Sequence, residues 1–160
     1  MPDDLYLRDV VAWSEGQAAR LRRVARGERV NDVDWDNIIE EIESLGRSEV
    51  KAARALLRRA IEHALKIHGW PGHADERKWR GEVRTFLSDA RDDLEPGMAQ
   101  RLEPDQLYTR ARQRVLDLDM ETPPRPLPGR IRLNVDDLYD RGFGPDQLLA
   151  RIAEAAGNAL

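Results

Sequence analysis

The chain has 160 residues, with 26 Lys and Arg against 30 Asp and Glu, a formal net charge of −4, and no cysteine. That length suits one domain able to bury roughly 70 % of its unfolded surface, and is short for a two-domain enzyme with a complete cofactor fold. The missing thiols exclude disulfides, zinc–cysteine sites, iron–sulfur ligation and thiol catalysis.

The opening Met1-Pro2-Asp3-Asp4 lacks the basic-then-apolar plan of a signal peptide, and no apolar run reaches the roughly 18 residues of a membrane span. A cytoplasmic location away from membranes is the expectation. The first predicted helix covers Leu5 to Ala25, with Tyr6, Val10, Trp13, Gln17, Leu21 and Val24 on one face. Asp3 or Asp4 is placed to cap it, and Gly27 to stop it. A second helix runs from about Trp35 to Leu45, carrying Trp35, Ile38, Ile42 and Leu45, with Asp34 as its N-cap. Gly46 is read as a break, and Ser48 as the cap of a third helix over about Glu49 to Ile67.

That third helix has two adjacent apolar stripes, Leu57, Ile61, Ala64, Leu65 and Leu56, Ala60, His63, Ile67. An arc this wide places it at the centre of a bundle. Gly69-Trp70-Pro71-Gly72 ends it, and a fourth helix from about Arg77 to Leu94 presents Trp79, Val83, Phe86, Leu87 and Ala90. A fifth begins at Pro104, where the absent N–H costs nothing, and carries Leu107, Ala111, Val115 and Leu118 as its stripe. The proline-rich stretch Thr122 to Gly129 reads as an extended connector. Asn134 and Asp137 suggest a capped short helix to about Asp140, and Gln147 to Ala156 a last helical stretch. The expected architecture is all-α: a bundle of about five main helices over residues 1–143, with a short helical tail appended over 144–160.

The run Asp34-Trp35-Asp36-Asn37-Ile38-Ile39-Glu40-Glu41-Ile42-Glu43-Ser44-Leu45-Gly46-Arg47-Ser48-Glu49 resembles the signature of an uncharacterised bacterial family, domain of unknown function number 29, abundant in cyanobacteria and proteobacteria. Leu5-Tyr6, Asp9, Ala12-Trp13, Gln17-Ala18, His63, Leu65-Lys66 and Trp79-Arg80 support it, and Val135 to Phe143 resembles the family's closing element. The resemblance spans about residues 4 to 143. It implies an α-helical bundle and carries no activity, so no catalytic residue follows from it.

Three constellations invite chemistry. Asp32, Asp34, Asp36, Glu40 and Glu43 match the ligand spacing of a calcium-binding EF-hand loop, but Asn37 replaces its glycine and the apolar stripe requires helix there. The plainer reading is an acidic first turn that favours the helix dipole. His63, His68 and His73, with Glu41, offer the donor types of catalytic zinc or non-haem iron, yet His63 and His68 lie five apart, about 140° around a helix. Residues 47–91 hold eleven basic against six acidic side chains, including Lys51, Arg54, Arg58, Arg59 and Lys66, which would serve nucleic acid only if left uncovered. Acidic neighbours within the bundle account for the same charges.

No motif specifies a reaction, a small-molecule substrate or a cofactor. The function therefore reads as unknown, with a non-catalytic cytoplasmic module acting through protein contacts in the lead, its partner another protein or a second copy. The alternatives are a metal-dependent enzyme using Glu41, His63, His68 and His73, and a nucleic-acid-associated protein using residues 47–91. The Glu40 to Glu43 signature has no assigned role at this level.

Overall fold

A computed structural model describes residues 4–157; Asp3, one of the two cap candidates, and the last three residues of the tail lie outside the described residues. The helices are α1 (Leu5–Arg8), α2 (Val10–Ala25), α3 (Trp35–Gly69), α4 (Glu76–Asp93), a 3₁₀ helix (Pro96–Arg101), α5 (Pro104–Leu116), α6 (Val135–Tyr139) and α7 (Pro145–Gly157). The fold is all-α, and no strand occurs among the described residues.

Two boundaries differ from the sequence expectation. The helix predicted over Leu5–Ala25 breaks at Asp9, whose backbone is extended (φ −153°, ψ 86°) and whose carboxylate accepts the Ala12 N–H at 2.9 Å, capping α2. An aspartate competes for local backbone donors, and here it wins over helix continuity. Conversely, the break expected at Gly46 does not form, and α3 runs unbroken from Trp35 to Gly69, with Ser48 inside it. A lone interior glycine costs about 1 kcal/mol relative to alanine, too little to stop a helix flanked by Leu45, Arg47 and Glu49 with no proline near.

The chain divides into two units, residues 1–48 and 49–160. In the second unit, Leu57, Ala60, Ile61, Ala64 and Leu65 of α3 are all buried, as the double stripe requires. They share one core with Trp79, Val83 and Leu87 of α4 and with Leu107, Ala111 and Val115 of α5. Leu148 and Ile152 of α7 belong to the same core, with 1 % and 0 % of their surface exposed. The residues of the expected tail form α7, which adds Leu148 and Ile152 to the core of this unit.

The proline-rich connector lies against that core as a strap. Leu127, Ile131 and Leu133 are buried, while Arg130 and Arg132 between them face outward. Tyr108 Oη donates to the Pro128 carbonyl at 2.6 Å, and Trp70 Nε1 donates to that of Thr122 at 2.8 Å. The second bond accounts for the loop tryptophan that no helical stripe explains. At Gly69 a side chain would meet Pro124 Cβ at 3.0 Å, so glycine there lets the strap approach. The adjacent Gly69 carbonyl accepts the Arg125 N–H at 2.8 Å.

Candidate interaction surface

The first unit holds the short α1 and a helical hairpin of α2, a connecting loop and the opening turns of α3. Its interior is small and partly polar. Trp13 and Ile38 are buried, and Gln17 is the buried polar side chain among the described residues. Tyr6 Oη donates to Glu41 Oε1 at 2.6 Å. Trp13 Nε1 and Asn37 Nδ2 both donate to Asp34 Oδ2, at 3.0 and 2.8 Å, while Gln17 Oε1 accepts the Asp34 backbone N–H at 2.9 Å. The Tyr6 ring meets Trp13 edge-on at 4.8 Å. Arg20 closes the loop onto Asp32 at 2.8 Å. Hydrogen bonds thus do in this hairpin much of the fixing that apolar packing does in the second unit.

Each bond leaves an electrostatic mark. The Glu41 carboxylate accepting its proton pushes the Tyr6 hydroxyl up to about 12. The Asn37 amide, then the Trp13 indole, hold the Asp34 carboxyl below the usual carboxylate range against the opposing effect of desolvation. A lowered native pKa stabilises the fold fully above the unfolded value, about 3.9, and that contribution disappears as pH falls through the native value. The Trp13 indole N–H resonance is therefore expected to shift below about pH 4, and to lose that transition in Asp34→Asn. A transition centred above the ordinary aspartate value would contradict this assignment.

These bonds leave the outer face apolar and open. Among the described residues nine large apolar side chains stand exposed, and seven belong to this first unit: Leu7 on α1, Val10 and Val11 on α2, and Trp35, Ile39, Ile42 and Leu45 on α3. Their exposure runs from 49 % at Val10 to 83 % at Leu7. At about 100° per residue, Val11 lies roughly 140° on from the face of α2 that carries Trp13 and Gln17. Trp35, Ile39 and Ile42 lie roughly 100–160° on from the Asn37, Ile38 and Glu41 face of α3. The helices run antiparallel, so similar rotations along the chain turn Val11 and the Trp35, Ile39 and Ile42 stripe to the same side of the hairpin, while Val10 lies about 40° from the inward face of α2. Single exposed apolar residues are ordinary, whereas a contiguous set marks a contact surface.

The other candidate residues have separate partners. His63 Nδ1 faces the Arg59 carbonyl at 2.8 Å, and its Nε2 faces Glu82 at 2.8 Å. His68 is partly buried, and desolvation lowers its pKa. His73 stacks on Trp79 at 4.6 Å and accepts the Asp75 N–H at 3.1 Å, whereas Glu41 is held by Tyr6. Among the described residues no three His, Asp or Glu side chains are grouped to hold a metal ion. The calcium-loop spacing is likewise taken apart: Asp36, Glu40 and Glu43 sit on α3, Asp32 pairs with Arg20, and Asp34 binds Trp13 and Asn37.

Much of the basic stretch finds partners within its own unit. Arg54 meets Glu103 at 3.3 Å, Arg58 meets Glu62 at 3.1 Å, and Arg80 meets Asp146. Arg59 lies over the Phe86 ring at 6.0 Å and Lys66 over Trp79 at 4.9 Å. An open groove of about 660 Å³ beside the strap contains three arginines, each ion-paired: Arg130 with Asp105, Arg132 with Glu154, Arg151 with Asp137. No described helix is long and apolar enough to cross a membrane.

Comparison with known proteins fits this arrangement into a family. The family described as Domain of unknown function DUF29 matches residues 5–144. The chain belongs to the DUF29 family. A similar solved structure is the crystal structure of an alpha-helical protein of unknown function from Rhodospirillum rubrum ATCC 11170. It is 30 % identical, with a TM-score of 0.70, and the likeness covers 92 % of this chain and 96 % of that one. No curated protein matches the chain.

The residues that carry the DUF29 resemblance turn out to be one another's partners. Tyr6 meets Glu41, and Trp13 and Gln17 meet Asp34. Asp9 caps α2, and Lys66 lies over Trp79. In this DUF29 chain the central glutamate, Glu41, is an internal hydrogen-bond acceptor, while its neighbours Glu40 and Glu43 are exposed. Sequence reasoning missed the open face because it followed the stripe of α2 that faces inward. The signal was present in Val11, an apolar residue off that inward stripe.

Proposed function

We propose that this DUF29 chain is a cytoplasmic module that acts through protein contacts, without chemistry of its own, and that its working surface is the apolar face of the hairpin. The observation that carries this reading is the gathering of seven exposed large apolar side chains on a unit with a small interior. Leaving such a set in water costs free energy that a covering protein surface recovers, at about 25 cal/mol per Å² of apolar area. The polar latch supports the same reading. Tyr6–Glu41 and Trp13–Asp34 tie α1 and α2 to the start of α3 without using the exposed apolar side chains.

Ile42 is 66 % exposed, so Ile42→Glu is expected to leave helical content unchanged while abolishing association. Tagged wild-type protein recovered from the cells that make it is expected to retain a polypeptide, another copy or a different chain, that the variant loses. Identical recovery with both proteins would refute the role of this face.

A further inference from the structure

Resting on that proposed contact role, we infer that the outward stripe of α3 takes one amphipathic helix of a different protein, with an apolar seam and a basic flank. The stripe has the form of a coiled-coil seam. Trp35, Ile39, Ile42 and Gly46 are spaced by four, three and four residues and fall within about 60° of arc. The three large side chains are half to two-thirds exposed. At Gly46 nothing lies within 4 Å of where a Cβ would stand, so a facing side chain can seat there. A stripe this narrow, running for about three turns, is the surface that a single helix laid along it covers.

The flanks of the seam select the partner. On one side, about 80–140° on from Trp35, stand exposed Asp36, Glu40, Glu43 and Arg47. Arg47 lies 3.7 Å from Glu43, and among the described residues Asp36 and Glu40 have no ion-pair partner. On the other side the outward residues of α2 are Val11 and exposed Glu15. Arg20 already meets Asp32 ahead of α3, so Arg22, further along α2, lies beyond the seam. Charges in such flanking positions decide which helices pair. Lys or Arg on the incoming helix meets these carboxylates, whereas Asp or Glu is repelled. A second α3 laid antiparallel brings two acidic flanks together, and laid parallel it sets Asp36 and Glu43 beside Ile38 and Leu45, so neither arrangement supplies the missing cation.

Selection from a displayed library of helical peptides, with the purified full chain as bait, tests this. The peptides carry a fixed leucine seam, with the flanking positions drawn from Lys, Glu and Gln. The wild type is expected to enrich Lys over Glu about tenfold, the size of two or three exposed ion pairs together. The enriched peptide, made synthetically, is expected to bind the wild type more weakly as salt is raised, and to lose Ile42→Glu and Ile39→Lys altogether. Asp36→Asn with Glu43→Gln is expected to abolish the preference for Lys, and Asp36→Lys with Glu43→Lys to turn it toward Glu. Equal use of Lys and Glu by the wild type, or a preference that both double variants leave unaltered, overturns the basic partner. No peptide retained above the level of the Ile42→Glu chain overturns the helical partner as well. The contact role itself is read separately, by the polypeptide recovered from cells with the wild type and lost with Ile42→Glu, and it stands or falls on that result alone.

Discussion

Ile152→Ala is expected to destabilise the second unit by about 2–5 kcal/mol, the range for emptying a fully buried aliphatic site. Ile152 has no exposed surface, and it lies in one core with Leu57, Ile61 and Val83. Leu148→Ala, at 1 % exposure, belongs to the same range. Either loss is a large share of the roughly 5–15 kcal/mol that holds a domain folded. Urea unfolding followed by tryptophan emission is expected to move its midpoint down by about 1–3 M, given the usual dependence on denaturant. A change below about 0.5 kcal/mol, the range of a surface substitution, would mean that α7 is an appendage after all.

Arg91→Met is the second large effect. Arg91 is half-buried on α4, and its guanidinium donates to three carbonyls: Leu138 at 2.9 Å, Asp137 at 3.1 Å and Phe143 at 2.7 Å. It thereby closes the end of α6 and the turn after it onto α4. Desolvation lowers its pKa, with Asp140 acting the other way, so the charge is kept there at some cost in exchange for three bonds. Methionine fills similar volume but leaves three acceptors without their donor, an expected loss of about 2–4 kcal/mol. Arg91→Lys should recover only part of this, because an ammonium cannot reproduce the planar fork. Amide hydrogen exchange over residues 135–144 is expected to accelerate in both variants. Unchanged exchange with an unchanged melting temperature would remove Arg91 from this role.

Much of the fold could be read from the sequence, and the failures have physical causes. Pro104 began α5 as its fixed φ suggests, and the double stripe around Leu57 and Ile61 placed α3 in the core. Helix ends were less legible where one residue had two competing uses. Gly46 had the composition of a stop but no neighbour to reinforce it, while Asp9 had a carboxylate free to take the Ala12 N–H and interrupt a strong stripe. The strap escaped period-two reading because only Ile131 and Leu133 alternate with Arg130 and Arg132 before α6 begins. For the candidate surface, the sequence showed Trp35 and Ile42 as apolar without revealing that their side is open. Exposure depends on what lies opposite, which a helical wheel does not contain. The signature's partners, Tyr6 with Glu41 and Trp13 with Asp34, are 35 and 21 residues apart, beyond any local pattern.

The central claim is that the apolar face of the hairpin is covered in the working protein. Placing a photoreactive residue at Ile42, with exposed Asp89 on α4 as the control position, tests it most directly. Irradiation in the cells that make the protein is expected to give a discrete polypeptide adduct from position 42 and none from position 89. No adduct at 42, or equal adducts at both positions, would contradict it.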